Sequence, residues 1–93
     1  MEKEIIKKLN QLPSSITNDG KIYKLSIHKI EVGGCDRYVA SYRDGNDVLK
    51  LRHSGLSYVY DLTVSSMSIS FEEVVENLWC FLDDFNLLKM NEC

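Results

Sequence analysis

The last third of the chain contains an amphipathic segment that predicts a helix over residues 71–88. Seven apolar side chains fall on one stripe when successive residues are placed about 100° apart: Phe71, Val74, Val75, Leu78, Phe81, Leu82 and Phe85. Acidic residues and Cys80 occupy the opposite side. Ser70, followed three residues later by Glu73, fits the pattern of a capping box and predicts the start of the helix. A helix with such a stripe requires an apolar surface on which to pack.

Residues 21–64 supply that surface, because their apolar side chains recur at every second position, which is the period of a half-buried strand. Turn-forming residues divide this region at Gly33-Gly34, at Asp44–Asp47 and at Ser54-Gly55. The pattern therefore predicts four strands. Their short connections favour an antiparallel meander.

A shorter helix is predicted over residues 2–12, where Ile5, Leu9 and Leu12 share one stripe, and Pro13 ends it. Residues 14–20 are predicted to form a loop. The expected fold is a single α+β domain spanning residues 1–93, in the order α-β-β-β-β-α. Its N-terminal and C-terminal helices are expected to pack on one face of the four-stranded antiparallel meander.

Composition narrows the range of functions and compartments. The net charge of −3 is too small to indicate a nucleic-acid or membrane partner by itself. No apolar run reaches the roughly 18–20 residues that a membrane-spanning helix needs. The three cysteines are an odd number at unrelated spacings, which favours a reducing compartment over a disulfide framework. We therefore expect a cytoplasmic protein.

Charge is distributed unevenly between the predicted strands and the final helix. Residues 21–64 carry a net charge of +2, whereas residues 65–93 carry −5. The alternation assigns the following residues to the sheet face that the helices leave uncovered: Lys24, Ser26, His28, Ile30, Val39, Ser41, Arg43, Lys50, Arg52, Ser57, Val59, Asp61 and Thr63. One side of the molecule is thus predicted to be basic and the other acidic.

Either surface could bind another protein. The leading hypothesis is a small non-enzymatic interaction module, such as an adaptor, an inhibitor or antitoxin, or an accessory subunit. Its candidate partner-binding residues are Lys24, His28, Arg43, Lys50, Arg52, Trp79, Glu76 and Asp83. The alternative for both surfaces is a solvated face without a partner, and the alternative for Trp79 is a side chain that covers the sheet margin. Apolar residues on the uncovered face, including Ile30 and Val39, also suggest a homodimer.

A nucleic-acid-binding module that uses the basic sheet face is the alternative function. The predicted face carries no aromatic side chain for base stacking, and the net charge opposes phosphate binding. Nucleic acid is therefore the less favoured partner.

Catalysis would have to come from few residues. His28 and His53 are predicted on opposite sheet faces, so they do not predict a metal site. His28 would need a strand register that brings it to Asp61 or Ser41 in order to act as a base with an orienting acid. We expect no enzyme activity, no metal and no cofactor.

A limited family resemblance accompanies this interpretation. The run Tyr38–Tyr42 on a strand, followed by Ser70–Leu78 opening a helix, resembles the partial RNase-H-like module of HicB antitoxins. It covers less than a third of the chain, and the turn that precedes the helix in that family has no match here. The resemblance implies an antitoxin or inhibitor role.

Overall fold

A computed structural model of the chain describes residues 3–54 and 57–89. Helices bracket the strands in the sequence, which confirms the predicted α+β class with its antiparallel sheet and two helices. In chain order the elements are α1 (Lys3–Gln11), β1 (Ser15–Asn18), β2 (Lys21–Val32), β3 (Cys35–Asp44), β4 (Asp47–Val48), β5 (Lys50–Ser54), β6 (Val59–Thr63), β7 (Ser65–Ser68) and α2 (Phe71–Asp84).

Strand β3 lies at the centre of the main sheet. Its first edge pairs with β2, which in turn pairs with β1. Its second edge is shared, because β4 pairs with Arg43 and Asp44 while β7 pairs with residues 38–41. All these pairings are antiparallel.

Between β4 and β7 the chain leaves the main sheet at Leu49 and returns at Val64. The Val64 amide donates to the Leu49 carbonyl oxygen at 2.8 Å, and beyond this bond β5 and β6 pair with each other as a separate hairpin. The predicted third and fourth strands correspond to this hairpin and do not pair with β3, whereas β4 and β7, which do pair with it, lie outside the strands that the sequence predicted. The reason is that one edge of β3 can pair with only one strand at any position, so the two segments pair with each other once they leave that edge.

Residues 15–18 form strand β1, which sequence reasoning had assigned to a loop. A two-residue turn at Asp19-Gly20 joins it to β2, with φ values of 52° and 75°. Positive φ at both turn positions matches the twist of the flanking strands and so favours a tight hairpin. The predicted turn at Gly33-Gly34 has the same form, with φ values of 59° and 82°, whereas Gly55 of the predicted Ser54-Gly55 turn lies outside the described residues.

The helices pack on one face of the main sheet and enclose the core with it. Helix α2 contacts β3 and β7, and α1 contacts α2. The buried apolar side chains of this core are Ile5, Leu12, Ile16, Tyr23, Ala40, Tyr42, Leu49, Val64, Val74, Val75, Leu78 and Leu82. The apolar stripe predicted for the final helix therefore faces the sheet.

Helix α2 begins where the sequence predicted and ends earlier. The Ser70 hydroxyl accepts a hydrogen bond from the Glu73 amide at 3.2 Å, which confirms the N-cap. The Glu73 carboxylate does not return to Ser70 as a capping box requires, because it accepts a hydrogen bond from the Ser68 hydroxyl. The helix ends at Asp84 and not at residue 88, since Asn86 adopts a left-handed conformation with φ of 58°.

Hydrogen bonds at this end of α2 form a Schellman motif. The Leu87 amide donates to the Leu82 carbonyl oxygen at 2.9 Å, and the Asn86 amide donates to that of Asp83 at 3.1 Å. Asparagine is one of the few residues that tolerate the left-handed conformation this motif requires. Asn86 was therefore the sequence signal for the earlier end.

Neither helix in the described part of the chain is long and apolar enough to cross a membrane.

Tyr42 joins the central strand to three other parts of the chain. Its amide donates to the Val64 carbonyl oxygen at 3.4 Å, and its carbonyl oxygen accepts from the Leu49 amide at 2.8 Å. Its hydroxyl donates to the Pro13 carbonyl oxygen at 2.6 Å. The side chain is fully buried, and this burial raises the pKa of the phenol.

Replacing Tyr42 with phenylalanine should lower the free energy of unfolding by about 1–2 kcal/mol, because the partly buried Pro13 carbonyl loses its donor. Urea denaturation measures this difference. Tyr38→Phe is the control, since the Tyr38 hydroxyl makes no hydrogen bond within the described residues and its ring packs edge-on against Phe71 either way. Equal stability of wild type and Tyr42→Phe would contradict the assignment.

The pH dependence of stability should also separate these proteins. An unfolded tyrosine releases its proton near pH 10, whereas folded Tyr42 keeps it, because its pKa is raised. The stability that this group contributes is therefore present below about pH 10 and is lost as pH rises further. Above that pH the wild type should lose stability more steeply than Tyr42→Phe, and parallel profiles would refute this.

Candidate interaction surface

The sheet face opposite the helices forms the main candidate surface. The strand registers place alternate residues of β2, β3 and β7 on it. We call this surface the open face, and define it as Ile22, Lys24, Ser26, His28, Ile30, Val32, Cys35, Arg37, Val39, Ser41, Arg43, Ser65 and Met67. It includes three of the predicted partner-binding residues, namely Lys24, His28 and Arg43.

The charges on the open face are all of one sign. Lys24, Arg37 and Arg43 are its cations, and none of its members is a carboxylate. The acidic residues of the same strands are Glu31, Asp36 and Asp44, and their register positions place them on the opposite side of the sheet. The open face is therefore cationic although the whole chain is acidic.

Two of these cations lie directly opposite each other, because the register pairs Lys24 of β2 with Arg43 of β3. Arg43 Nε donates to the Ser41 hydroxyl at 2.9 Å. Within the described residues neither cation forms an ion pair. Like charges directly across a strand pair destabilise a sheet, so this arrangement costs folding stability.

The middle of the open face is more enclosed than the sequence predicted. Ser41 is fully buried and Val39 is 9% exposed. The alternation had placed both on a solvated face, but β3 is flanked on both sides. Val39 lies between His28 of β2 and Met67 of β7, so neighbouring side chains cover it.

Aliphatic side chains surround this enclosed centre. Met67 and Ile22 are each 57% exposed, and Val32 is 48% exposed. The open face thus combines cations with exposed aliphatic groups, a composition that suits contact with a mixed acidic and apolar surface.

Among the residues that the structure describes, no acid contacts His28. Its Nδ1 lies 3.4 Å from the Ser26 hydroxyl. Asp61, the acid proposed to orient it, lies on β6 and contacts Arg52 at 3.5 Å. Ser41, the proposed alternative, accepts from Arg43. The hypothetical base with its orienting group is therefore not assembled.

Lys50 and Arg52 lie on β5, in the separate hairpin, and do not share the open face. They line a polar cleft of about 540 Å³ between the hairpin, the β1–β2 turn and β4. Asp19, Asp47 and Asp61 also line it, so the cleft carries both signs of charge.

An ion pair lies beside this cleft. Lys21 Nζ donates to Asp47 Oδ2 at 2.5 Å, which raises the pKa of Lys21 and lowers that of Asp47. Both groups are exposed to solvent. Each cation of this region therefore has an acid close by, unlike the cations of the open face.

Helix α2, which carries the acidic surface, contains three of the predicted binding residues, and two of them contact α1. The Glu76 carboxylate forms an ion pair with Lys8 of α1, whose Nζ donates to Glu76 Oε1 at 3.1 Å. Trp79 Nε1 donates to Gln11 Oε1 at 2.8 Å, and Lys8 Nζ lies 4.9 Å from the Trp79 ring centre. Of the three predicted binding residues on this helix, Asp83 alone forms no ion pair or side-chain hydrogen bond within the described part of the chain. The acidic helix is therefore a weaker candidate surface than the open face.

Metal binding gains no geometric support within residues 3–54 and 57–89. No group of three histidine, cysteine or acidic side chains there comes together in a way that could hold an ion.

Comparison with known proteins provides no further assignment. No protein-family model matches the chain, and no solved structure matches it.

Reversing the charge of Lys24 should stabilise the fold. In Lys24→Glu an acid would lie opposite Arg43, so a repulsive pair becomes attractive, and the free energy of unfolding should rise by about 0.2–1 kcal/mol. Thermal and urea unfolding measure this change. Arg37→Glu is the matched control, because position 37 lies opposite Ile30 and the new glutamate would therefore face no cation across the strand pair. A loss of stability in Lys24→Glu would show that the two side chains do not face each other.

Trp79→Phe tests whether this tryptophan holds the two helices together. The variant loses the hydrogen bond to Gln11 and weakens the contact with Lys8, so the free energy of unfolding should fall by about 1 kcal/mol. Urea denaturation measures the effect. Cys80→Ser, one position further along on the exposed side of α2, is the control. An unchanged stability would return Trp79 to the list of candidate partner contacts.

Proposed function

We propose that this protein is a non-enzymatic interaction module that binds an acidic segment of another protein through the open face. The single observation that carries the proposal is the charge on this face. Lys24, Arg37 and Arg43 lie on it without a carboxylate, in a chain whose net charge is negative.

The unfavourable pair of Lys24 and Arg43 supports a binding role. A sheet that had only to fold would gain stability from an opposite charge at either position. A partner carboxylate between the two cations would relieve their repulsion and form charge-assisted hydrogen bonds. The cost in the free protein would thus be recovered on binding.

Exposed aliphatic groups favour a protein partner over nucleic acid. Ile22, Val32 and Met67 can contact apolar side chains, but they cannot stack on bases as aromatic rings do. The open face contains no aromatic residue, and three cations are few for a phosphate backbone. Nucleic acid remains an outcome that the experiment can detect.

We place this interaction in the cytoplasm, again as a proposal. Cys35 and Cys80 are both free and exposed. Exposed thiols persist where the surroundings are reducing.

A peptide-display experiment tests the proposal without knowledge of the natural partner. A random peptide library is selected on the wild type and then depleted on Lys24→Glu/Arg43→Glu, which reverses two of the three cations. Recovered peptides should be rich in Asp and Glu with interspersed aliphatic residues. Their affinity, measured by fluorescence anisotropy, should fall at least about tenfold for the double variant and decrease with added salt.

The matched control is Lys50→Glu/Arg52→Glu, which reverses two cations outside the open face and should keep the affinity of the wild type. The proposal fails if the selected peptides bind both double variants equally well. It also fails if no acidic peptide is recovered, or if a single-stranded oligonucleotide binds more tightly than any peptide at low ionic strength.

A further inference from the structure

Strand β2 has a long edge without a strand partner in the described residues. Strand β1 pairs only with Lys21–Lys24, which is the first third of β2. Beyond the hydrogen bond from the Leu25 amide to Ser14, the remaining seven residues, from Ser26 to Val32, pair with β3 on their other side alone. An edge of this kind presents unsatisfied amide and carbonyl groups to any strand that approaches it.

The direction of these backbone groups follows from the hydrogen bonds of the neighbouring residues. The Leu25 amide points to the outer edge, because it donates to the Ser14 carbonyl oxygen at 3.0 Å. Strand geometry repeats every two residues, so Ile27, Lys29 and Glu31 also direct their amide and carbonyl groups outward. An additional antiparallel strand would pair with these three residues.

We propose that a second copy of this chain occupies this edge and forms a two-fold symmetric dimer through β2. In the register we infer, Lys29 of each copy lies opposite Glu31 of the other, and Ile30 meets Ile30 at the two-fold axis. His28 then lies opposite Val32. Two antiparallel β2 strands would join the main sheets of the two copies into one.

The charges of Lys29 and Glu31 favour a second copy of the chain at this edge and also favour one register of the two strands. The symmetric pairing makes two opposite-charge contacts between Lys29 and Glu31 on the side of the sheet away from the open face. Sliding one strand by two residues would place Lys29 opposite Lys29, or Glu31 opposite Glu31, and like charges in these positions are unfavourable. Only the intermediate register is self-complementary, as a two-fold interface must be.

The charges within one chain agree with this arrangement. Glu31 lies directly opposite Asp36 across the β2–β3 pair, which is a repulsive position. Lys29 Nζ lies 3.6 Å from Asp36 Oδ2 and is 5.8 Å from the Tyr38 ring centre. Because Lys29 of the same chain pairs with Asp36, Glu31 forms no ion pair in the described residues. Lys29 of a second copy would supply a cation for it.

This inference does not depend on the proposed function. The dimer uses the β2 edge, whereas the proposed peptide contact uses Lys24 and Arg43 on the open face. Either could be correct without the other. If both hold, the dimer places two cationic faces on one side of a continuous sheet.

A charge exchange at the edge tests the dimer, with sedimentation velocity over a range of protein concentrations as the measurement. The wild type should show a concentration-dependent dimer. Lys29→Glu places two acids opposite each other, and Glu31→Lys places two cations there, so each variant alone should be monomeric at concentrations where the wild type is dimeric. An equimolar mixture of the two variants should regain the dimer, because every cross-strand pair is again of opposite charge.

Stability measurements separate loss of the dimer from loss of the fold. Glu31→Lys removes the repulsion with Asp36, so its thermal midpoint at a concentration where the wild type is monomeric should equal or exceed that of the wild type. Lys24→Glu changes a residue outside the part of β2 that pairs between the two copies, so this variant should dimerise like the wild type. The proposal is overturned if the wild type stays monomeric, if either single variant dimerises as the wild type does, or if the mixture stays monomeric.

Discussion

Strand β3 is the constraint on which the rest of the structure depends, because strands pair with both of its edges and helix α2 packs on one of its faces. The backbone of Tyr42 forms hydrogen bonds with Leu49, where the chain leaves the main sheet, and with Val64, where it returns. The Tyr42 hydroxyl donates to the Pro13 carbonyl oxygen. Backbone groups that are buried must be paired. The single edge of β3 that faces away from β2 therefore has to be divided between β4 and β7, and the β5–β6 hairpin is the consequence.

This arrangement also determines which surfaces remain available. The helices cover one face of the sheet, and α1 is attached to α2 through Trp79, Gln11, Lys8 and Glu76. The side chains that sequence reasoning singled out on α2 therefore serve mainly to join the helices. Among the described residues this leaves a cationic sheet face with exposed aliphatic groups and a strand edge without a strand partner, two features that suit association.

Much of this fold could be predicted from the sequence, because helix stripes and capping residues act locally. The apolar stripe of α2 and the Ser70 cap needed no knowledge of distant residues. Strand β1 was missed because its four residues contain one apolar side chain, Ile16, and offer little alternation. Its following Asp19-Gly20 turn was the available signal.

The candidate surface was predicted less completely, because alternation assigns a residue to a face and does not identify the neighbouring strand. It placed Lys24 and Arg43 together correctly. It also placed Lys50 on the same face, although the chain turns away from the main sheet at Leu49. Burial of Ser41 could not be foreseen either, since it depends on β3 being the central strand.

The most direct measurement of the central claim is a nitrogen–proton correlation spectrum, recorded while a peptide selected on the wild type is added. We predict that the largest chemical-shift changes fall on amides of the open face, centred on Lys24, Ser41 and Arg43. Changes concentrated instead on α2, or on the β5–β6 hairpin, would contradict it.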